Sequence, residues 1–171
     1  VTLQQLGSGG SGDVSLVRCG SERMARKRLR TASRDAAAKT KHFLLHEVRA
    51  MAAVSHPNIV RLLGVCTERG ELSILMEYAK LGTLRDVLDQ NPLLPAWRRF
   101  QLLFGVVNGL CRLHEHVPQP IVHHDLKAQN VLVTRDPDTG AWVAKISDFG
   151  LATGAASSSA RNSVRGGAGT A

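Results

Sequence analysis

The sequence predicts an α+β fold in which a small antiparallel sheet carrying one helix precedes a part that contains a long helix. Apolar and polar residues alternate in short segments on both sides of a glycine-rich turn, which is typical of a β-hairpin. Apolar residues then recur at helical spacing over 35–54 and again over 95–116. Because 43% of the 171 residues are apolar, such a chain can bury a hydrophobic core.

The composition argues against a nucleic-acid-binding, a disulfide-rich or a membrane-spanning protein. The net charge of +8 is spread along the chain, only 4% of residues are aromatic, and no helix is basic, so nucleic acid is not an expected partner. Cys19, Cys66 and Cys111 are too widely spaced for a disulfide framework or a zinc site. No apolar run is long enough to span a membrane, and the first residues are not expected to act as a signal peptide. A reducing compartment, the cytoplasm, is therefore expected, while the targeting of the full-length protein stays unknown.

The first element is a hairpin with a glycine tip. Residues 1–6 form a strand that runs into Gly7, Gly9 and Gly12, and an alternating pattern resumes over 13–17. Glycines at this spacing let the backbone approach phosphate oxygens and offer N–H donors. A dinucleotide-binding fold would start a helix here and use Asp35 on the ribose, and a plain flexible turn is a further alternative.

The next elements place a carboxylate near a lysine. Residues 24–27 read as a strand, and the helix over 35–54 puts Leu44, Glu47, Val48 and Met51 on one face. An acid within an apolar stripe needs a cationic partner, and Lys27 is the candidate. The alternatives are that Lys27 belongs to a solvated basic edge, as Arg26 suggests, and that Glu47 lies at the border of the stripe.

Two strands and a long helix follow. Strands are predicted through 59–65 and 72–77, and the helix runs from Pro95 to His116. Its predicted buried face consists of Phe100, Leu103, Phe104, Val107, Leu110, Cys111 and His114.

The segment 123–130 concentrates an acid, a base and an amide in a loop before the apolar run 131–133. A turn at 137–140 and a strand over 144–147 then lead to Asp148-Phe149-Gly150. One strand, one turn and a second strand separate the pattern D-L-K-x-x-N at 125–130 from D-F-G.

Taken in order, the glycine loop, the A-x-K strand, the helical Glu47, D-L-K-x-x-N and D-F-G resemble the eukaryotic protein kinase catalytic domain. The resemblance covers nearly the whole chain and implies two lobes, a small one over 1–78 and part of a large one over 79–171. It stops before the A-P-E motif of the family. The segments 62–66 and 76–78 resemble the tyrosine-kinase-like group of Ser/Thr kinases.

This resemblance implies transfer of the γ-phosphate of ATP, with Mg²⁺, to Ser or Thr hydroxyls of protein substrates in signalling. Asp125 would be the catalytic base and Lys127 would neutralise the γ-phosphate. Lys27, oriented by Glu47, would bind the α- and β-phosphates. The metal ligands would be Asn130 and Asp148.

The resemblance also implies a nucleotide pocket. Met76 would be the gatekeeper, and the backbone of Glu77 and Ala79, at the hinge segment 78–84, would bind adenine. The pocket residues implied are Leu6, Gly7, Ser8, Gly9, Gly10, Ser11, Gly12, Val14, Ala25, Lys27, Met76, Glu77, Ala79 and Leu132.

Three readings compete with an active Ser/Thr kinase: a pseudokinase, a small-molecule phosphotransferase and a phosphate-binding fold unrelated to kinases. A pseudokinase would bind ATP or partners without catalysis, and Arg26 and His124 favour it. Small-molecule phosphotransferases share the Asp and Asn of the loop but generally lack D-F-G.

Lys127 and Thr170 resemble the Ser/Thr pattern, and the serines at 157–159 and 163 could be phosphorylated.

The 171 residues on their own are expected to fold poorly and to lack activity. The long helix would expose an apolar face without the remaining helices of the large lobe, and such a face favours aggregation.

His124 occupies the position where most family members have an arginine that clamps a phosphorylated activation segment. Because a neutral histidine cannot make that bidentate contact, we predict weak dependence of activity on phosphorylation there, increasing as His124 is protonated. The measurement is the activity of the dephosphorylated full-length protein, and complete inactivity until phosphorylation would contradict the prediction.

Overall fold

Five antiparallel strands form the first sheet of the computed structural model, which describes residues 1–9, 12–28, 44–68 and 71–154. They are β1 (Thr2–Gly9), β2 (Gly12–Cys19), β3 (Glu22–Arg28), β4 (Leu62–Glu68) and β5 (Glu71–Glu77), in the order β1-β2-β3-β5-β4. The predicted hairpin is confirmed, although Gly10 and Ser11 at its tip lie outside the described residues. Because β2 is a strand, the alternative of a dinucleotide-binding helix after the glycines is wrong.

One helix, α1, is described over residues 44–52, and the rest of its predicted length, 35–43, lies outside the described residues. Leu44, Glu47 and Met51 are at most 3% exposed, and Val48 packs partly buried against the same core. The predicted helical face is therefore confirmed, including its acid. Asp35 and the serines after 154 also lie outside the described residues, as does Thr170.

The second half combines two helices with short strand pairs. Its elements are α2 (Leu84–Gln90), α3 (Ala96–His114), β6 (Ile121–Val122), β7 (Val131–Arg135), β8 (Trp142–Ile146) and β9 (Thr153–Gly154). The predicted β7–β8 hairpin is confirmed, and β6 pairs with β9. Sequence analysis missed α2, although Thr83 and Asp86 form a capping box at its start.

The two halves are joined through the segment that follows α1. The backbone N–H of Val60 donates to Ile146 O at 2.9 Å, and the N–H of Ile146 donates to Asn58 O at 2.9 Å. The Asn58 side chain also donates to Ala144 O at 2.9 Å. These bonds extend the pairing of β8 toward the first sheet, so the residues after β8 are held beside β3 and α1.

The buried face predicted for α3 is wrong. Four of its members, Phe100, Leu103, Phe104 and Val107, are between 43% and 69% exposed. Cys111 and His114 are also exposed, and Leu110 is the one member that packs partly buried against the core. The helix instead buries Leu102, Gly105, Val106, Gly109 and Leu113.

The reason is that α3 carries two apolar stripes, and the one with the glycines contacts β8. A Cβ added at Gly109 would lie 2.7 Å from Asn58 O and 2.9 Å from Ile146 Cδ1. A Cβ at Gly105 would lie 2.8 Å from Asn58 Nδ2. Only glycine allows α3 to approach this close. Among the described residues, no helix is both long and apolar enough to cross a membrane.

We predict that Gly109→Ala lowers the free energy of unfolding by about 1–3 kcal/mol, the usual cost of overpacking. This loss is expected even though alanine favours a helix by about 1 kcal/mol over glycine, because the nearest atom is a backbone oxygen that cannot move aside. Chemical denaturation measures the change.

Gly64→Ala is the matched control, since a Cβ at Gly64 meets nothing within 4 Å. Equal stability of the two variants would contradict the close packing of α3 on Asn58 and β8.

Candidate active site

A lysine ammonium bound by two carboxylates lies at the centre of the site. Lys27 Nζ donates to Glu47 Oε1 and Oε2 at 2.7 and 2.9 Å, and to Asp148 Oδ1 at 2.8 Å. Lys27 comes from β3, Glu47 from α1, and Asp148 lies two residues beyond β8. The predicted contact between Lys27 and Glu47 is therefore present, and the contact with Asp148 was not foreseen.

The Lys27 ammonium offsets part of the cost of burying Glu47. Burial raises the pKa of Glu47 above its ordinary value, and the charge of Lys27 opposes that rise. Lys27 and Glu47 are 4% and 3% exposed. Burial by itself lowers the pKa of Lys27, but the carboxylates of Glu47 and Asp148 outweigh it and raise this pKa above its ordinary value. Lys27 consequently stays charged throughout the physiological pH range.

The backbone around Phe149 aims Asp148 at the lysine. Asp148 adopts the left-handed conformation with φ 63°, which aspartate tolerates better than most residues. Phe149 is fully buried in the core, and its backbone N–H donates to the Glu47 carboxylate. Burial of one ring thus fixes both acids relative to Lys27.

A second cluster surrounds the Asp125 carboxylate. Lys127 Nζ donates to Asp125 Oδ2 at 2.7 Å, and Asn130 Nδ2 donates to the same oxygen at 2.9 Å and to Asp125 O at 2.8 Å. A short 3₁₀ turn, Ala128–Asn130, returns the chain so that Asn130 reaches back to Asp125. The bond from Lys127, followed by the bond from Asn130, lowers the pKa of Asp125 below its ordinary value. The carboxylate is therefore ionised at neutral pH.

His123 and Ser147, to which the sequence analysis gave no role, connect the two clusters. Ser147 donates to Asn130 O through its backbone N–H at 2.9 Å and its hydroxyl at 3.0 Å. His123 Nε2 lies 2.8 Å from Ser147 O, and its Nδ1 accepts from the Asp125 N–H at 3.3 Å. Because one nitrogen faces an acceptor and the other a donor, the contacts fit a neutral ring protonated on Nε2. His123 also packs on Phe149, with ring centroids 5.2 Å apart.

A cleft of about 480 Å³ brings the polar groups and an apolar wall together. Lys27, Glu47, Asn130 and Asp148 lie at one end. The other sequence-implied nucleotide residues that line it are Leu6, Gly7, Val14, Ala25, Met76, Ala79 and Leu132. This volume suits a small-molecule ligand.

Several sequence-implied residues do not line this cleft. Ser8, Gly9 and Gly12 belong to the β1–β2 ladder beyond its wall. The Glu77 side chain turns to Lys145 Nζ at 2.9 Å and to the Arg61 backbone N–H at 2.6 Å. A role of the Glu77 backbone toward adenine stays a prediction, as does any role of Gly10 and Ser11, which are not described.

Asp125 and Lys127, also implied by the sequence, are not among the residues that line the cleft, and their side chains are 35% and 49% exposed. A macromolecular substrate can approach them from solvent. Close by, His124 adopts φ 63°, and its Nε2 is hydrogen-bonded to Thr153 Oγ1 at 2.6 Å. Arg26 bonds Thr2 on β1 and is absent from the cleft lining.

We predict that Lys27→Met lowers the free energy of unfolding by about 3–5 kcal/mol, because it leaves Glu47 buried without its cation. The double variant Lys27→Met/Glu47→Leu is expected to recover part of that loss, since it removes the stranded charge as well. Chemical denaturation of both variants measures the difference, and a double variant less stable than Lys27→Met would contradict the role of Glu47 as a buried acid that depends on Lys27.

Comparison with known proteins places this geometry in a family. The protein kinase domain family matches residues 1–169. U-box domain-containing protein 34 of Arabidopsis thaliana is 38% identical over 86% of this chain and 17% of its own length. Dual specificity testis-specific protein kinase 2 of Homo sapiens is 38% identical over 88% of this chain and 25% of its own.

A third relative, the receptor-like cytosolic serine/threonine-protein kinase RBK1 of Arabidopsis thaliana, is 36% identical over 86% of the chain and 30% of its own length. The chain therefore spans less than a third of the length of these curated relatives. The match over 1–169, together with the Lys27, Glu47 and Asp148 cluster that lines one cleft with Asn130, shows that the chain belongs to the protein kinase domain family.

Proposed function

We propose that the protein is a serine/threonine kinase that transfers the γ-phosphate of ATP to protein substrates in a signalling role. The observation that carries this proposal is the Lys27 ammonium, held between Glu47 and Asp148 at the polar end of the cleft. In this position it can neutralise phosphate oxygens of a nucleotide whose base contacts the apolar end. The lobes are proposed as 1–78 and 79–171, with the cleft between them.

Asn130 and Asp148 fit a divalent cation such as Mg²⁺. Asn130 donates through Nδ2 to Asp125, and its Oδ1 has no hydrogen-bond partner within the described ranges. That oxygen and the Asp148 carboxylate line the same cleft, and they are hard oxygen ligands of the kind Mg²⁺ prefers. When bound, the cation would neutralise charge on the transferring phosphate.

Asp125 is proposed as the proton acceptor, and its two oxygens divide the work. Lys127 and Asn130 occupy Oδ2, whereas Oδ1 has no hydrogen bond to any described residue. The substrate hydroxyl oxygen forms a bond to the γ-phosphorus while the bond from that phosphorus to the β–γ bridging oxygen breaks. The hydroxyl proton passes to Oδ1, and ADP leaves with the bridging oxygen.

The specificity for Ser and Thr is supported by Lys127 and by relatives whose names state serine/threonine or dual specificity. Lys127 lies beside the proposed base, where it can also approach the γ-phosphate of bound ATP. The rival function is a binding module that holds nucleotide without catalysis. A variant that still binds ATP but has lost its function would exclude this binding module. We place the activity in the cytoplasm, consistent with three free cysteines.

Asp125→Asn in the full-length protein is expected to reduce phosphotransfer by about 10²–10⁴-fold, the usual contribution of a general base. Transfer of labelled γ-phosphate measures the rate, and the thermal shift produced by Mg·ATP measures binding, which should persist. Asp89→Asn, an exposed carboxylate on α2 paired with Arg85, is the control. Undiminished transfer by Asp125→Asn would refute the assigned base, and wild-type protein that binds Mg·ATP without transfer would favour the binding module.

Replacing Lys127 is expected to shift the acid limb of the pH–rate profile to higher pH. Lys127 is the largest cause that keeps the pKa of Asp125 low, so Lys127→Met raises this pKa, and Asp125 becomes protonated and inactive at a higher pH than in the wild type. The measurement is kcat against pH, with Arg85→Gln as control. A limb that stays in place or moves to lower pH would show that Asp125 does not set it.

A further inference from the structure

A second cavity, of about 760 Å³, lies on the opposite side of Glu77 from the nucleotide cleft. Its lining includes Met51, Val54, His56, Arg61, Glu77 and Lys145. No described residue lines both cavities, although Met76 and Tyr78, on either side of Glu77, line the cleft. The second cavity is therefore a separate volume in contact with the end of β5.

The polar side of this cavity is cationic. Lys145 is neutralised by its salt bridge to Glu77 at 2.9 Å. Arg61 offers only its backbone to Glu77, and its guanidinium has no hydrogen bond or ion pair to any residue the structure describes. Arg112 does not line the cavity, but its charge acts on His56 in the lining, and its guanidinium likewise has no partner within those ranges.

The titration of His56 supports this charge balance. Burial first, and then the positive charges of Arg112 and Lys145, hold the pKa of His56 below its ordinary value. His56 is therefore neutral at physiological pH, and the excess charge around the cavity comes from the arginines.

Part of the cavity lining is apolar. Met51, Val54 and Ile59 belong to the buried core and contribute to the lining. The volume lies within the range of small-molecule sites, which combine an apolar wall with a few polar groups. A guanidinium presents parallel N–H donors that match a carboxylate or a phosphate.

We propose that this cavity is a second ligand site, for a small amphiphilic anion. Its carboxylate or phosphate binds the Arg61 guanidinium, and its apolar part packs against Met51 and Val54. This site is independent of the nucleotide cleft and of the phosphotransfer proposed there.

The test titrates the full-length protein by calorimetry with 1-naphthoate, with 1-naphthyl phosphate and with the uncharged 1-naphthamide. The anions are expected to bind and the amide to bind at least tenfold more weakly, and the tighter anion identifies the preferred head group. Arg61→Gln should weaken anion binding at least tenfold. Arg23→Gln, an exposed arginine of β3 outside both cavities, should leave it unchanged.

Saturation with Mg²⁺ and a non-hydrolysable ATP analogue should leave anion binding in place, because the cavities share no lining residue. Displacement by that analogue would put the anions in the cleft and overturn the proposal. It is also overturned if the amide binds as tightly as the anions, if neither anion binds, or if Arg61→Gln and Arg23→Gln have equal effects.

Discussion

The arrangement of the site depends on the cost of burying one positive charge. Lys27 is almost wholly removed from solvent, and an isolated ammonium in that position would be strongly unfavourable. Two carboxylates from distant parts of the chain offset this cost, Glu47 on α1 and Asp148 after β8. The requirement forces β3, α1 and the D-F-G segment into contact. A cleft with a fixed cation at one end is the structural consequence.

A second constraint fixes the position of the two sides of that cleft relative to each other. The backbone of 58–60 pairs with β8, and α3 approaches this junction through its glycines. Ser147, directly after β8, then bonds Asn130, so the position of Asp148 and that of the loop 123–130 are set by the same strand. His123 completes the link by contacting both Ser147 and Asp125. Hydrogen bonds to the same stretch of backbone therefore position polar groups that have different roles.

In Glu77 and in Asp125, different atoms of one residue make different contacts, which a sequence motif does not distinguish. The Glu77 backbone belongs to β5, whose residue Met76 lines the cleft, while the Glu77 side chain lines the second cavity and binds Lys145. Similarly, Asp125 uses one carboxylate oxygen for its neighbours and keeps the other open. In both residues the available chemistry depends on which atoms already form hydrogen bonds, and the tertiary structure decides this.

Local patterns sufficed for much of the fold. Period-two alternation predicted the hairpins, and Glu47 within an apolar stripe predicted its pairing with Lys27, because a buried acid requires a nearby cation. The pattern D-L-K-x-x-N predicted that Asp125 and Asn130 share one loop, but the hydrogen bond between their side chains was not predicted. The buried face of α3 could not be read in this way: periodicity reveals that apolar stripes exist, but the partner decides which stripe is covered, and only the one containing Gly105 and Gly109 admits β8 so closely. The bond from Lys27 to Asp148 spans 121 residues, and such a contact exists only after the sheet, α1 and β8 have packed together.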